Sequence, residues 1–190
     1  LVHLQAVLIP ILIGIKSINR FKQIRFPLLP PFAFISLGLA SMFEMFDHTT
    51  TDWLYVNHSS INNWLFYSFL SIGLSFFTIS VSINKSIITS NILLIIAVVF
   101  SYWFLGKSTT LLIQVLISII LISQWWRRFK DWVLFIYPIT GIIFTTFFGI
   151  LLSSSGEQIW HIFIGPSGTI SVLTFYSVLN KSRKKEIISA

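Results

Sequence analysis

Two short segments of the sequence carry side chains that bind metal ions and transfer protons. Glu44, Asp47 and His48 are spaced i, i+3 and i+4, so in a helix they share one face. Glu157 and His161 are spaced i and i+4 and share a face in the same way. Carboxylate and imidazole groups are zinc ligands, and three of them leave a fourth position for water. Because zinc lowers the pKa of its bound water to about 7, the segments predict a hydrolytic metal site.

Each of these residues has an expected role in that site. The predicted metal ligands are Glu44, Glu157 and His161. Asp47 or His48 would act as the base or orient the metal-bound water. Ser41, one turn before Glu44, would donate a hydrogen bond to the developing oxyanion. Hydrogen bonding between helices and ordinary loop polarity are the alternative explanation for the acids and histidines, and small-residue packing or a bond to a neighbouring backbone is the alternative for Ser41.

The composition requires that these segments lie in a membrane protein. The chain has 190 residues, of which 55% are apolar and only 10% are charged. Its mean hydropathy is +0.84. Soluble domains carry about 25% charged residues, so soluble enzymes and nucleic-acid-binding modules are excluded despite a formal charge of +7. The absence of cysteine excludes disulfides and thiolate metal sites.

Seven apolar stretches can cross the membrane. They cover residues 1–15, 28–46, 63–83, 87–106, 108–125, 132–152 and 158–179. None alternates as a barrel strand would, and helices are the only other solution that pairs every backbone group within lipid. Short connections make neighbouring spans antiparallel. We therefore predict an all-α, polytopic fold in which residues 1–190 form one up-down bundle of seven transmembrane helices.

The basic residues predict the orientation of this bundle. If the first helix enters from outside, 12 of the 13 lysines and arginines lie in inner loops or the C-terminal tail, and only Lys107 lies outside. The positive-inside rule then places the N-terminus outside and the C-terminus in the cytoplasm. Four of the six acids and all four histidines fall at the outer side. The basic tail is explained by anionic lipid, without a nucleic-acid partner.

The two segments together resemble the CREST superfamily of seven-helix membrane proteins, which includes alkaline ceramidases and the progestin and adipoQ receptors. That family has Ser-x-x-x-His late in span two, a nearby aspartate, and His-x-x-x-His at the start of span seven. Here Ser41, Glu44 and Asp47 occupy the first region, and Glu157 and His161 occupy the second. The resemblance implies zinc-dependent hydrolysis of a lipid amide or ester. Because two expected histidines are glutamates, manganese or iron is an alternative metal.

Three functions follow from these patterns, and whether the protein is an enzyme stays open. The first is a metal-dependent hydrolase that acts on a membrane lipid at the outer leaflet. The second is a small, non-enzymatic membrane subunit or assembly factor, because 19 phenylalanines and short loops suit contact with a membrane protein partner or a second copy. The third is a transporter, although spans three to six carry almost no charge near the midplane.

Overall fold

The protein is built of helices, as expected from its apolar runs. The structure is a computed structural model that describes the backbone of residues 2–49, 58–146 and 157–189, and the side chains of residues 4–46, 61–141 and 165–184. Within these ranges there is no β-strand, which confirms the all-α prediction. The helices are α1 (Val2–Ser17), α2 (Leu29–Thr49), α3 (His58–Val81), α4 (Lys85–Phe104), α5 (Lys107–Phe129), a 3₁₀ turn (Trp132–Phe135), α6 (Ile136–Thr146) and α7 (Glu157–Ser189).

Two helices extend beyond the apolar runs. Helix α3 begins at His58, five residues before the apolar run at 63, and α7 continues ten residues past 179, through the basic tail. At 1.5 Å per residue, the 33 residues of α7 span about 50 Å, whereas the hydrocarbon layer is about 30 Å thick. In both helices, the polar or basic residues lie outside the apolar run but remain helical.

Four of the helices are long and apolar enough to cross a membrane, counting only the described residues. These stretches are Leu29–Phe46, Ile61–Val81, Lys85–Phe104 and Lys107–Phe129. The stretch in α3 is the most buried, whereas those in α4 and α5 expose most of their length. Helix α3 is therefore central, and α4 and α5 present apolar surface to lipid.

Small residues set the distance between α1, α2 and α3. A Cβ added at Gly14 of α1 would lie 2.7 Å from the carbonyl oxygen of Pro31. One added at Gly38 of α2 would lie 2.9 Å from the carbonyl oxygen of Val7. A Cβ added at Gly73 of α3 would lie 2.9 Å from Cδ2 of Leu37, the side chain of α2 that packs over it. Glycine lets the helix backbones approach, which gains van der Waals contact where lipid supplies no hydrophobic driving force.

An aromatic cluster fills the centre of the bundle. Phe77 of α3 lies with its ring centroid 4.9 Å from Phe34 of α2 and 4.8 Å from Phe175 of α7. Trp125 of α5 packs 5.4 Å from Phe77 and donates its indole N–H to the Phe77 carbonyl, at 2.9 Å. Tyr137 of α6 lies 5.2 Å from Phe175. One cluster thus contacts five helices.

The connections at residues 18–28, 82–84 and 130–131 lie at one end of the bundle, which we call the basic end. Phe21 and Ile24 of the first connection are buried among the helices. Arg25 donates to the carbonyl oxygens of Ser82 and Ile83 at 3.1 and 2.8 Å, where α3 ends. A cation there complements the helix dipole and satisfies free carbonyls. The first connection, which the polar sequence predicts to be an exposed loop, therefore packs against the helices.

Candidate functional site

Ser41 and Glu44 lie on the face of α2 that packs against α3. Leu37 defines this face, because its Cδ2 lies 2.9 Å from where a Cβ on Gly73 would stand. Ser41 and Glu44 follow Leu37 by four and seven residues, which keeps them on that face. Both side chains are half-buried. Two of the six predicted site residues are therefore directed into the bundle, at the end opposite the basic end (hereafter the far end).

The facing surface of α3 carries a buried amide. Phe69 stacks on Phe43 of α2, with centroids 5.4 Å apart, so Phe69 and Gly73 mark the side of α3 that contacts α2. Asn62 precedes Phe69 by seven residues and lies on the same side, nearer the far end. Its side chain is only 4% exposed, and its Nδ2 has no hydrogen-bond partner among the residues that the structure describes. A buried donor without an acceptor costs about 1–3 kcal/mol, so an acceptor supplied by water or by a ligand would stabilise the protein at Asn62.

The remaining predicted site residues cannot be placed as side chains. Asp47 and His48 belong to α2, and Glu157 and His161 belong to α7, but these four side chains lie outside the described residues. In the described part of the chain, no three acidic, histidine or cysteine side chains come together as a metal site would require. The metal site and its catalytic residues stay predictions.

Helices α2 and α7 meet near the basic end in the described part of the chain. Phe34 lies with its ring centroid 6.2 Å from Tyr176 of α7. Ser41 follows Phe34 by seven residues, so it continues the side of α2 that approaches α7. The face that carries the predicted oxyanion donor is therefore turned toward both α3 and α7.

A second polar contact joins α3 to α5 at mid-bundle, and sequence reasoning missed its main residue. Gln114 of α5 donates to the carbonyl oxygen of Tyr67 at 3.0 Å and to the hydroxyl of Ser71 at 3.1 Å. It is 7% exposed. Ser68, also buried, has a hydroxyl with no partner. A single glutamine within an apolar span is the signal that could have identified this contact, because an amide in lipid requires partners.

At the far end, polar side chains connect α3 to α4 and α5. Trp64 donates its indole N–H to the carbonyl oxygen of Val99 at 2.8 Å. Lys107, at the start of α5, places its Nζ 5.9 Å from the ring centroid of Tyr67, within the range of a cation–π contact. These contacts hold the far end of α3 against α4 and α5.

Comparison with known proteins identifies one family. The family model 7TM_cyano, described as "Seven transmembrane receptor", matches residues 1–185. No curated protein and no solved structure matches the chain. The match supports a seven-transmembrane protein and confirms the polytopic membrane fold, but it does not support the CREST identification. The chain is therefore an integral membrane protein that belongs to the 7TM_cyano family of seven-transmembrane proteins.

Proposed function

We propose that this protein is a membrane receptor that binds a small polar or amphiphilic ligand between α2 and α3 at the far end. The observation that carries the proposal is the buried, unpartnered Nδ2 of Asn62 on the side of α3 that contacts α2. A ligand oxygen would supply its missing acceptor. The family description as a receptor supports the same class of function.

The facing residues of α2 favour a particular ligand chemistry. Ser41 offers a hydroxyl, and Glu44 offers a half-buried carboxylate on the face that meets α3. A ligand that carries a cationic or hydrogen-bond-donating group beside an acceptor would contact the carboxylate of Glu44 and accept a hydrogen bond from Nδ2 of Asn62. We further propose that the far end faces outward, because the basic residues at the other end favour the cytoplasmic side.

A thermal-shift screen of purified protein against small amines, amino acids and zwitterions tests this site. A ligand at one hundred times its Kd stabilises the protein by about 2.7 kcal/mol. We expect Glu44→Gln and Asn62→Leu to remove most of that shift. Asn91→Leu is the matched control, because Asn91 is a fully buried asparagine of α4 with an unpartnered Oδ1. A hit that stabilises Glu44→Gln and Asn62→Leu as much as wild type refutes the proposed site.

A second candidate is the metal-dependent lipid hydrolase implied by the CREST resemblance. Gly165, Val172 and Phe175 form a buried stripe of α7. The two other predicted ligands, Glu157 and His161, belong to the same helix, near its start. Glu44 would then supply the third ligand from α2.

Metal analysis separates the two candidates. The hydrolase requires about one metal ion per chain, reduced strongly in Glu157→Ala and His161→Ala, together with release of fatty acid from a lipid amide or ester. Wild-type protein that is purified without chelator and contains no stoichiometric metal excludes the hydrolase and leaves the receptor proposal intact.

A further inference from the structure

A groove of about 340 Å³ opens between α4 and α5 near the basic end. Its lining combines apolar, hydroxyl, amide and cationic side chains. These include Ile87, Ser90, Ile120, Ser123, Gln124 and Arg127. This mixture differs from the surrounding surface of α4 and α5, which is mainly exposed aliphatic side chains.

The groove follows from the way the two helices are joined. At the far end, the hydroxyls of Ser101 and Thr110 are 2.9 Å apart and hold α4 and α5 together across their short connection. Toward the basic end the facing residues include Ser90 and Ser123, which are too small to fill the space between the helices. An opening therefore remains where the chain reaches the membrane surface.

We propose that this groove binds one anionic phospholipid, with the lipid phosphate at Arg127. In the described part of the chain, the carboxylate nearest in sequence belongs to Asp131, which pairs with Lys181 at 3.1 Å. No described carboxylate pairs with Arg127. A guanidinium group binds phosphate through two parallel hydrogen bonds, and the neighbouring hydroxyl and amide groups suit phosphate or glycerol oxygens.

Aromatic residues place Arg127 at the depth of lipid headgroups. Trp126 lies with its ring centroid 4.7 Å from Trp132 and 5.3 Å from Phe135. Lys130 places its Nζ 5.6 Å from the ring centroid of Trp126. Tryptophan clusters with adjacent cations are typical of the membrane interface. Because Arg127 follows Trp126 directly, its backbone lies at the same depth and its side chain can reach the lipid headgroups.

The apolar side of the groove continues as a path for an acyl chain. Ile119 lines the groove and is 61% exposed. Leu116 and Leu112 follow on the same face of α5 and are 46% and 70% exposed. A lipid whose phosphate contacts Arg127 can extend one acyl chain along this row toward the bilayer centre. The groove thus offers contacts to both the phosphate headgroup and an acyl chain of a phospholipid.

The test compares two lipids on the delipidated full chain by native mass spectrometry. We expect wild type to retain one dioleoylphosphatidylglycerol at least about tenfold more tightly than dioleoylphosphatidylcholine, because both lipids carry the phosphate but only the second brings a quaternary ammonium group beside the cations at this end. Arg127→Gln should lose most of this preference, whereas Arg128→Gln, with the same charge change one residue along, should retain it. Ile120→Trp fills the groove without changing charge and should also weaken binding of the anionic lipid.

Three results would overturn the proposal. The first is equal retention of the two lipids by wild type, and the second is equal weakening by Arg127→Gln and Arg128→Gln. The third is displacement of the lipid by millimolar glycerol 3-phosphate, since a free phosphate ester would then suffice. If Arg127→Gln does not melt cooperatively, Ile120→Trp decides the question, and unchanged lipid binding by that variant refutes the groove.

Discussion

The contact between α1 and α2 gives the sharpest prediction about stability. Gly14 and Gly38 lie where the two helices cross, and Gly14→Ala would place a Cβ 2.7 Å from the carbonyl oxygen of Pro31. Gly38→Ala would place a Cβ 2.9 Å from the carbonyl oxygen of Val7. Real Cβ atoms do not approach this closely, and a backbone carbonyl cannot rotate away as a side chain can. The helices must therefore move apart.

The size of the effect is the difference between two terms. Alanine favours an isolated helix over glycine by about 1 kcal/mol. Overpacking typically costs about 1–3 kcal/mol, and separating the helices also loses van der Waals contact along the crossing. We expect each variant to be less stable than wild type by about 1–2 kcal/mol. The double variant should lose less than the sum, because one separation of the helices relieves both clashes.

Gly141→Ala in α6 is the matched control. A Cβ at Gly141 would meet nothing within 4 Å, so only the helix preference remains and the variant should equal or exceed wild type in stability. Reversible unfolding in mixed detergent micelles measures wild type and the four variants under the same conditions. If Gly14→Ala and Gly38→Ala are as stable as Gly141→Ala, the two helices do not pack at this distance and the described crossing is wrong.

Three other substitutions test single contacts by the same unfolding measurement. Arg25→Gln removes the cap on the end of α3 and should lower stability by about 1 kcal/mol. Lys22→Gln, an exposed control in the same connection, should change stability by less than about 0.5 kcal/mol. Equal losses of stability in the two variants would refute the cap. Gln114→Leu should cost about 0.6–1.7 kcal/mol by breaking two interhelical hydrogen bonds, and an unchanged stability would contradict that contact. Asp131→Ala should cost more than Lys181→Ala, because the carboxylate also caps the 3₁₀ turn, while their ion pair is exposed and contributes less than about 1 kcal/mol. The reverse order would contradict this assignment.

The sequence predicted the helices well because burial in lipid depends on length and polarity. It placed their ends less well, since helix propensity and lipid burial are separate properties. His58 joins α3 although it lies among polar residues, and Lys181 continues α7 although it lies beyond the apolar run. Phe21 and Ile24 showed another limit, because a short connection rich in cations can still bury its few apolar side chains against the bundle.

The candidate site was harder to predict because a membrane helix is apolar on every side. In a soluble helix, polar residues identify the solvent face, but in lipid the apolar residues face both lipid and neighbouring helices. The sequence therefore identified Ser41 and Glu44 as unusual without showing which helix they approach. Only the structure shows that Asn62 and Ser68 each bury a polar atom that has no hydrogen-bond partner among the described residues.

Both ends of the bundle bury polar atoms that have no hydrogen-bond partner among the described residues, including Nε of Arg20 and Oδ1 of Asn180 at the basic end. The far end is favoured as a binding site because it also carries the half-buried carboxylate of Glu44 on the face of α2 that meets α3. At the basic end, Arg25 caps exposed carbonyls and Lys181 pairs with Asp131, so the chain supplies partners for these two cations. At the far end, Asn62 is buried with its donor unused. Helix α2 runs without a break between the two regions, since Phe34 packs in the central cluster and Glu44 lies further along the same helix, toward the far end. A ligand that engaged Glu44 would act on a helix whose other end is held against α3 and α7.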